Sequence, residues 1–234
     1  MDKKNSINNF FSQNTFFKSA VRILGTAIVL FVFFASLIAF PSLCEALPRA
    51  PEDIIEESCG DNNTEGEKVL IAYDTVHGST TSIAEKIGEI LCEKGFQVDV
   101  RLARRVKDIS DYDAVIVGSA IRELKWLLDA TWFLRRHKET LSEIPVAYFF
   151  VCAALAADTQ RVQDLVMPIY MDPILEKFPE IVPVDIRGFG GAIDFTNYNI
   201  YEKLMIWGFG TTENIDFRNW EMVTEWAETI SDLL

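Results

Sequence analysis

The chain is short of the residues that metal and nucleic-acid chemistry require. Its two histidines, His77 and His137, and four cysteines, Cys44, Cys59, Cys92 and Cys152, show no CxxC or CxxH spacing, so a structural zinc site lacks well-placed ligands and no metal is expected. Basic side chains are scarce, 22 against 35 acids, and the formal charge is -13. No broad basic face is available for phosphates, and nucleic acid is excluded as a partner. What is abundant is apolar: 49% of the 234 residues are hydrophobic, enough for a sizeable core.

Charge is also missing locally. Ile23 to Phe40 is 18 residues without an ionisable side chain, and the run stays uncharged to Cys44, long enough for a helix across the hydrocarbon layer. Residues 1–44 carry Lys3, Lys4, Lys18 and Arg22 against Asp2, while Glu45, Glu52, Asp53, Glu56 and Glu57 follow. The positive-inside bias therefore puts the N-terminus in the cytoplasm and the remainder outside. Cleavage after Ala46, with Cys44 and Ala46 at the two small-residue positions, is the alternative. Lipidation at Cys44 is disfavoured by the large Leu43 before it, and the length of the run favours a retained membrane anchor.

Residues 45–67 hold eight acids and one base, with Pro48, Pro51, Gly60 and Gly66, the composition of an acidic, solvated linker. With +3 on residues 1–44 and -7 on residues 45–67, the whole-chain charge leaves -9 for a folded domain over 68–234. Within it, five apolar runs of strand length occur at Lys68–Tyr73, Gln97–Arg101, Ala114–Gly118, Pro145–Val151 and Ile181–Ile186, separated by helical patterns. The first helix carries Ile83, Ala84, Ile87, Ile90 and Leu91 at helical spacing and ends at Lys94-Gly95; the last places Trp220, Val223, Trp226, Ala227, Ile230 and Leu234 on one face. Continuous apolar strands alternating with helices predict an α/β domain with a parallel sheet between two helical layers. Such sheets bind ligands beyond the carboxyl ends of the strands, so the loops after the first, third and fourth strands are the candidate sites.

The first of these reads Asp74-Thr75-Val76-His77-Gly78-Ser79-Thr80-Thr81 and runs straight into a helix. Hydroxyl side chains crowd one glycine at a helix N-terminus, whose free N–H groups and dipole favour an anion. Ser79 or Thr80 as a simple helix cap is the plainer reading, and His77 reads as an exposed loop residue. The loop contains neither GxxxxGK(S/T) nor GxGxxG, which disfavours a nucleoside triphosphate or a dinucleotide and favours a single phosphate group. The spacing Thr75-x-x-Gly78-x-Thr80-x-x-x-Ala84 after an apolar strand resembles the flavodoxin signature, with Ala72 in place of a larger apolar residue. The resemblance implies a flavodoxin-like three-layer sandwich with a five-stranded parallel sheet in the order 2-1-3-4-5. It also implies flavin mononucleotide (FMN) as cofactor, its phosphate held by residues 75–80.

After the third strand come Gly118-Ser119-Ala120-Ile121-Arg122-Glu123-Leu124-Lys125-Trp126, a small-residue stretch whose backbone suits a flavin ring edge. Trp126 either stacks on the ring or opens the core face of the next helix; Arg122 is either a ligand contact or a solvated surface charge. The third loop, Cys152-Ala153-Ala154-Leu155-Ala156-Ala157-Asp158, is placed to close the outer flavin face, with Cys152 and Cys92 reading as small buried hydrophobes. GSAIR, the stretch WLLDATWFLRRHKETL with Phe133, Arg135, Arg136 and His137, PVAYFFV, Gly191–Asp194, Tyr201–Ile206 and Asp216–Trp220 resemble the menaquinone-dependent protoporphyrinogen oxidase branch of flavodoxin-like proteins. Where that branch often has a glycine or aromatic pair, this chain has Glu123-Leu124, and its Gly208–Asn214 stretch is short and has no basic residue. The resemblance implies an electron-transferring flavoprotein with a quinone or a redox protein as partner; a cofactor-free binding domain on the same fold is the alternative.

Overall fold

The computed structural model describes residues 56–60, 66–157, 159–194, 203 and 214–234, all within one compact unit, Arg49–Leu234. The apolar run before residue 45, most of the expected linker and most of Tyr201–Ile206 and Gly208–Asn214 lie outside the described residues. No helix among the described residues is long and apolar enough to cross a membrane.

In chain order the elements are β1 (Glu57–Cys59), β2 (Lys68–Asp74), α1 (Ser79–Glu93), β3 (Gln97–Leu102), β4 (Ala114–Arg122), β5 (Lys125–Trp126), α2 (Leu128–Leu141), β6 (Val146–Val151), α3 (Gln160–Lys177), β7 (Asp185–Phe189), β8 (Ala192–Ile193), β9 (Ile215–Asp216) and α4 (Trp220–Ser231). Parallel strands run in the order β3-β2-β4-β6-β7, with β1 antiparallel on the outer edge of β3 and β5 turned back on β4. The fold is flavodoxin-like α/β. The main sheet has seven strands rather than five, because two short segments with no strand-like apolar pattern, β1 and β5, pair onto it.

The apolar runs follow from burial on both faces. In β2, Leu70 and Ala72 pack with α2 and α3, while Val69, Ile71 and Tyr73 pack with α1 and α4. Likewise in β6, Tyr148 and Phe150 face the first layer and Phe149 and Val151 the second. A strand sandwiched in this way cannot carry a polar residue on either face without leaving it unsolvated. β3 is different: Val98, Val100 and Leu102 are buried and Gln97, Asp99 and Arg101 are not, the period-2 pattern of a strand covered on one side.

Four expectations are corrected here. The last parallel strand is Asp185–Phe189 rather than Ile181–Ile186; Pro183 has no N–H to donate, and cross-strand bonding begins one residue later with Val184 N–H to the Val146 carbonyl at 2.7 Å. Residues 57–59 of the expected linker are an ordered edge strand, in register with Val100, Asp99 and Val98. That pairing brings Cys59 alongside α1, where it forms a disulfide with Cys92, so Cys92 is a crosslinked residue and not a packing hydrophobe. On α4, Trp220 is 39% exposed while Val223, Trp226, Ala227 and Ile230 are buried; the Arg218 guanidinium lies over its ring at 4.8 Å.

Candidate functional site

The carboxyl ends of β2, β4 and β6 are in register: Asp74 pairs with Ser119, and Ala120 with Val151. The three loops expected to carry the site therefore emerge side by side.

In the first loop Thr75 is buried, and its Oγ1 accepts the Gly78 N–H at 3.1 Å, leaving its own O–H to donate. Gly78 occupies the N-cap of α1 with φ 89° and no side-chain cap; any L-residue there is strained, and a Cβ would project into open space. The plain-cap reading of Ser79 and Thr80 is thereby set aside. The first bond of the helix is donated by Ser82 N–H to the Gly78 carbonyl at 3.3 Å, so the N–H groups of Ser79, Thr80 and Thr81 precede the helical ladder. Thr80 is fully buried, and its Oγ1 has no hydrogen-bond partner among the described residues. An unmet buried hydroxyl at a helix N-terminus is costly unless a ligand meets it. Val76, His77, Gly78 and Ser79 are half-buried around it.

The second loop is a hairpin between β4 and β5. Ala120, Ile121 and Arg122 are half-buried along its approach, with Ile121 packed against the core. Gly118 and Ser119 do other work. A Cβ at Gly118 would lie 2.1 Å from the Phe149 ring, so its glycine serves sheet packing; Ser119 Oγ accepts the Leu127 N–H at 2.9 Å and donates to the Ala120 carbonyl at 2.9 Å, closing the base of the hairpin. Trp126 is 5% exposed and meets the Tyr148 ring edge-on at 5.6 Å. It belongs to the core, not to a stacking surface, and it sits in β5 rather than on α2. In the third loop Ala153 and Ala154 are exposed, whereas Leu155 is fully buried in the core, close enough to Gly188 that a Cβ there would meet its Cδ1 at 2.5 Å. Cys152 is buried and free, and burial pushes its thiol up to about 11, which keeps it protonated and unreactive.

Two loops are tied together by Asp74, the last residue of β2. Its Oδ2 accepts the N–H groups of Asp129 at 3.0 Å and Ala130 at 3.3 Å, capping the first turn of α2 from a distant strand. Burial, reinforced by the nearby Asp129 carboxylate and opposed by those N–H donors, raises its pKa to about 6.

Sequence reasoning missed a fourth wall. Gly191 lies against α1, a Cβ on it falling 3.3 Å from Ser79 Oγ, and its carbonyl accepts the Phe217 N–H at 3.0 Å. Next to it Arg218 donates to both carboxylate oxygens of Asp216, at 2.8 and 2.6 Å, and to Ser82 Oγ at 2.6 Å. A guanidinium is thus fixed one turn inside the helix whose N-terminus forms the phosphate loop. The Gly190-Gly191 pair and Asp216-x-Arg218 were visible in the sequence, but nothing local links them to residue 82.

Residues 70–214, more than half of the chain, match the model of the flavodoxin domain family. The chain belongs to that family. FMN is the cofactor of this domain, and the residues present fit it: the Thr80 hydroxyl, without a partner among the described residues, the Thr75 O–H and the N–H groups of residues 79–81 lie on one loop and the helix start that follows it, a donor set suited to one phosphate. Among curated relatives, the protoporphyrinogen IX dehydrogenase (quinone) of Escherichia coli strain K12 is 25% identical over 179 residues, covering 71% of this chain and 96% of that protein. The Leishmania major protein of the same name is 25% identical over 183 residues, covering 71% and 75%. Among solved structures, a flavodoxin from the domain Archaea is 18% identical with a TM-score of 0.45, covering 71% of this chain and 97% of that one. The oxidised Flavodoxin 1 of Bacillus cereus is 16% identical with a TM-score of 0.43, covering 71% and 99%.

Proposed function

We propose that the protein is an FMN-dependent oxidoreductase that delivers electrons to a quinone, with its flavodoxin-like domain, residues 68–234 preceded by the β1 edge strand, held at a membrane by residues 1–44. The observation that carries the redox reading is the phosphate cradle at the start of α1, with its buried, unpartnered Thr80 hydroxyl. The quinone as acceptor and a porphyrinogen-type donor are supported by the name of the relatives, nearly all of one of which this chain spans.

FMN supplies one- and two-electron transfer when bound. The chain's part is to hold and surround it: Thr75, Thr80 and the α1 N-terminus would take the phosphate, the backbone of Ala120–Arg122 would border the ring on one side, and Ala153-Ala154 on the other. Excess negative charge in the domain works against adding electrons to an already anionic cofactor and lowers its potential. That favours passing electrons on over keeping them.

The Cys59–Cys92 disulfide supports placing the domain outside the cytoplasm, where such bonds persist, in agreement with the positive-inside pattern of residues 1–57. An anaerobic assay in which a porphyrinogen is offered with a quinone, porphyrin fluorescence being followed, tests the function. Fluorescence that rises only with both protein and quinone present is expected. No porphyrin with any quinone, from protein that carries FMN, would leave a one-electron carrier for a redox partner protein as the better account.

A further inference from the structure

The hairpin β4-β5 turns through Glu123 and Leu124, with φ 51° and 63°. Left-handed backbone at both central residues is the pattern of a type I′ turn, which strongly prefers asparagine and glycine. Here the second position is a leucine, and it is 64% exposed. A strained position that presents an apolar side chain to solvent costs stability and calls for a functional reason. Two more exposed apolar residues follow on α2, Leu128 at 54% and Trp132 at 55%, four residues apart and so on one helix face. The Arg135 guanidinium covers the Trp132 ring at 4.9 Å.

The hairpin projects beyond the site. β2 ends at Asp74 opposite Ser119, and β4 continues three residues further to Arg122, about 10 Å at the rise of a strand. Leu124 is thus on the rim of the carboxyl edge, and α2, which starts there, carries Leu128 and Trp132 at its near end. The local charge runs against that of the domain. The sequence from 122 to 138 holds five basic residues and two acids, Glu123 and Asp129, a net of +3 in a domain of -9; Lys138 is paired with Glu180 at 3.4 Å, while Lys125 and Arg135 are exposed beside the apolar residues.

The N-terminal segment joins the domain at this same edge. Because β1 is antiparallel to β3, with Glu57 opposite Val100 and Cys59 opposite Val98, the chain enters from the carboxyl end of the sheet. Glu56 is pinned there by Arg101 at 3.7 Å and Arg105 at 3.6 Å, and the disulfide fixes the other end of β1 to α1. Residues 45–55 link this point to the apolar run, and eleven residues reach at most about 40 Å.

We propose that the carboxyl edge around Leu124, Leu128 and Trp132 docks on the headgroup surface of an anionic bilayer, so that the cofactor loops face the membrane from which a quinone is drawn. This rests on residues 23–44 being a membrane anchor. Apolar tips enter the interface, tryptophan occupies the headgroup level, and Lys125 and Arg135 meet the anionic lipid. An anchor entering at the opposite edge would hold this face away from the lipid.

The test uses full-length protein in vesicles of phosphatidylcholine with about one third phosphatidylglycerol. A nitroxide is placed at Leu124→Cys, or at Glu143→Cys in the exposed turn after α2 at the far edge, both in a Cys44→Ser background. At 124 the label should be more accessible to oxygen than to an aqueous nickel complex, and at 143 the reverse, with the contrast weaker in phosphatidylcholine alone. The double variant Leu124→Glu/Leu128→Glu should keep its FMN and its reaction with a water-soluble quinone, while its reaction with quinone dissolved in the vesicles falls by about tenfold. Equal access of the nickel complex at 124 and 143 in vesicle-bound protein would overturn the docking but leave the anchor. Protein that washes off at alkaline pH would overturn the anchor and the docking with it. Protection at 124 that requires an added protein rather than lipid would give the face to a protein partner and overturn the proposal.

Discussion

Asp74 Oδ2 accepts the backbone N–H of Asp129 at 3.0 Å, across a sequence separation of 55, and so the strand that leads into the phosphate loop also caps the helix that follows the hairpin. The carboxyl is buried, and its pKa is raised to about 6 from 3.8. A raised carboxyl pKa means that the folded state takes up the proton more readily than the unfolded state. Stability from this group is therefore greatest below about pH 4 and is lost as pH rises through 6, by about 3 kcal/mol at most for a shift of that size. Urea unfolding across this range should show the decline, and Asp74→Asn, which keeps the acceptor without the charge, should flatten it. Asp74→Ala removes the cap together with the titrating group, so it should cost about 1–2 kcal/mol below about pH 4, where the carboxyl is protonated, and less as pH rises through 6.

The phosphate cradle makes a separate prediction. Thr80→Ala should leave folding intact, since the hydroxyl has no partner among the described residues to lose, yet weaken FMN binding about tenfold or more, as loss of a donor to a charged oxygen worth about 1.5–3 kcal/mol requires. Adding Thr75→Ala should compound the loss, partly through the Gly78 N–H that Thr75 holds. Titration with FMN by fluorescence quenching reads both; a double variant within about twofold of the parent, some 0.4 kcal/mol, would remove the phosphate from this loop.

The crosslink between Cys59 and Cys92 closes a separation of 33 residues. Replacing both cysteines by serine should lower stability by about 3–4 kcal/mol through the chain entropy of the unfolded state, with FMN affinity unchanged because the bond lies away from the phosphate loop. Denaturation with and without reductant should give the same difference. A variant as stable as the parent would show that β1 is held by its strand pairing alone.

At the hairpin, Leu124→Gly should raise stability by about 1 kcal/mol, since glycine tolerates the left-handed backbone that leucine does not. A thermal shift upward, together with loss of vesicle contact at the same site, would separate the local strain from what it presents.

How much of this could be read from the chain alone depended on how local the cause was. Strands β2, β4 and β6 were legible because cover on both faces demands unbroken apolar runs, and the Thr75–Thr80 loop because its hydroxyls, glycine and helix start are contiguous. Trp126 was open between the ring and the core, and Leu155 was read with its loop towards the flavin, since an apolar side chain in a loop does not declare which way it turns; Trp126 packs on the Tyr148 ring and Leu155 against Gly188. β1 was hidden by its acidic surroundings, and its crosslink by the distance to α1 in sequence. The Arg218 contact to Ser82 spans 136 positions and had no local signal.

The most direct test of the redox account is rapid mixing of chemically reduced full-length protein in vesicles with a membrane quinone, following the return of the oxidised flavin spectrum. Complete reoxidation, stoichiometric with bound FMN and faster than with the domain cut before residue 45 and added to the same vesicles, is the predicted result. Flavin that stays reduced in the presence of every quinone offered would contradict it.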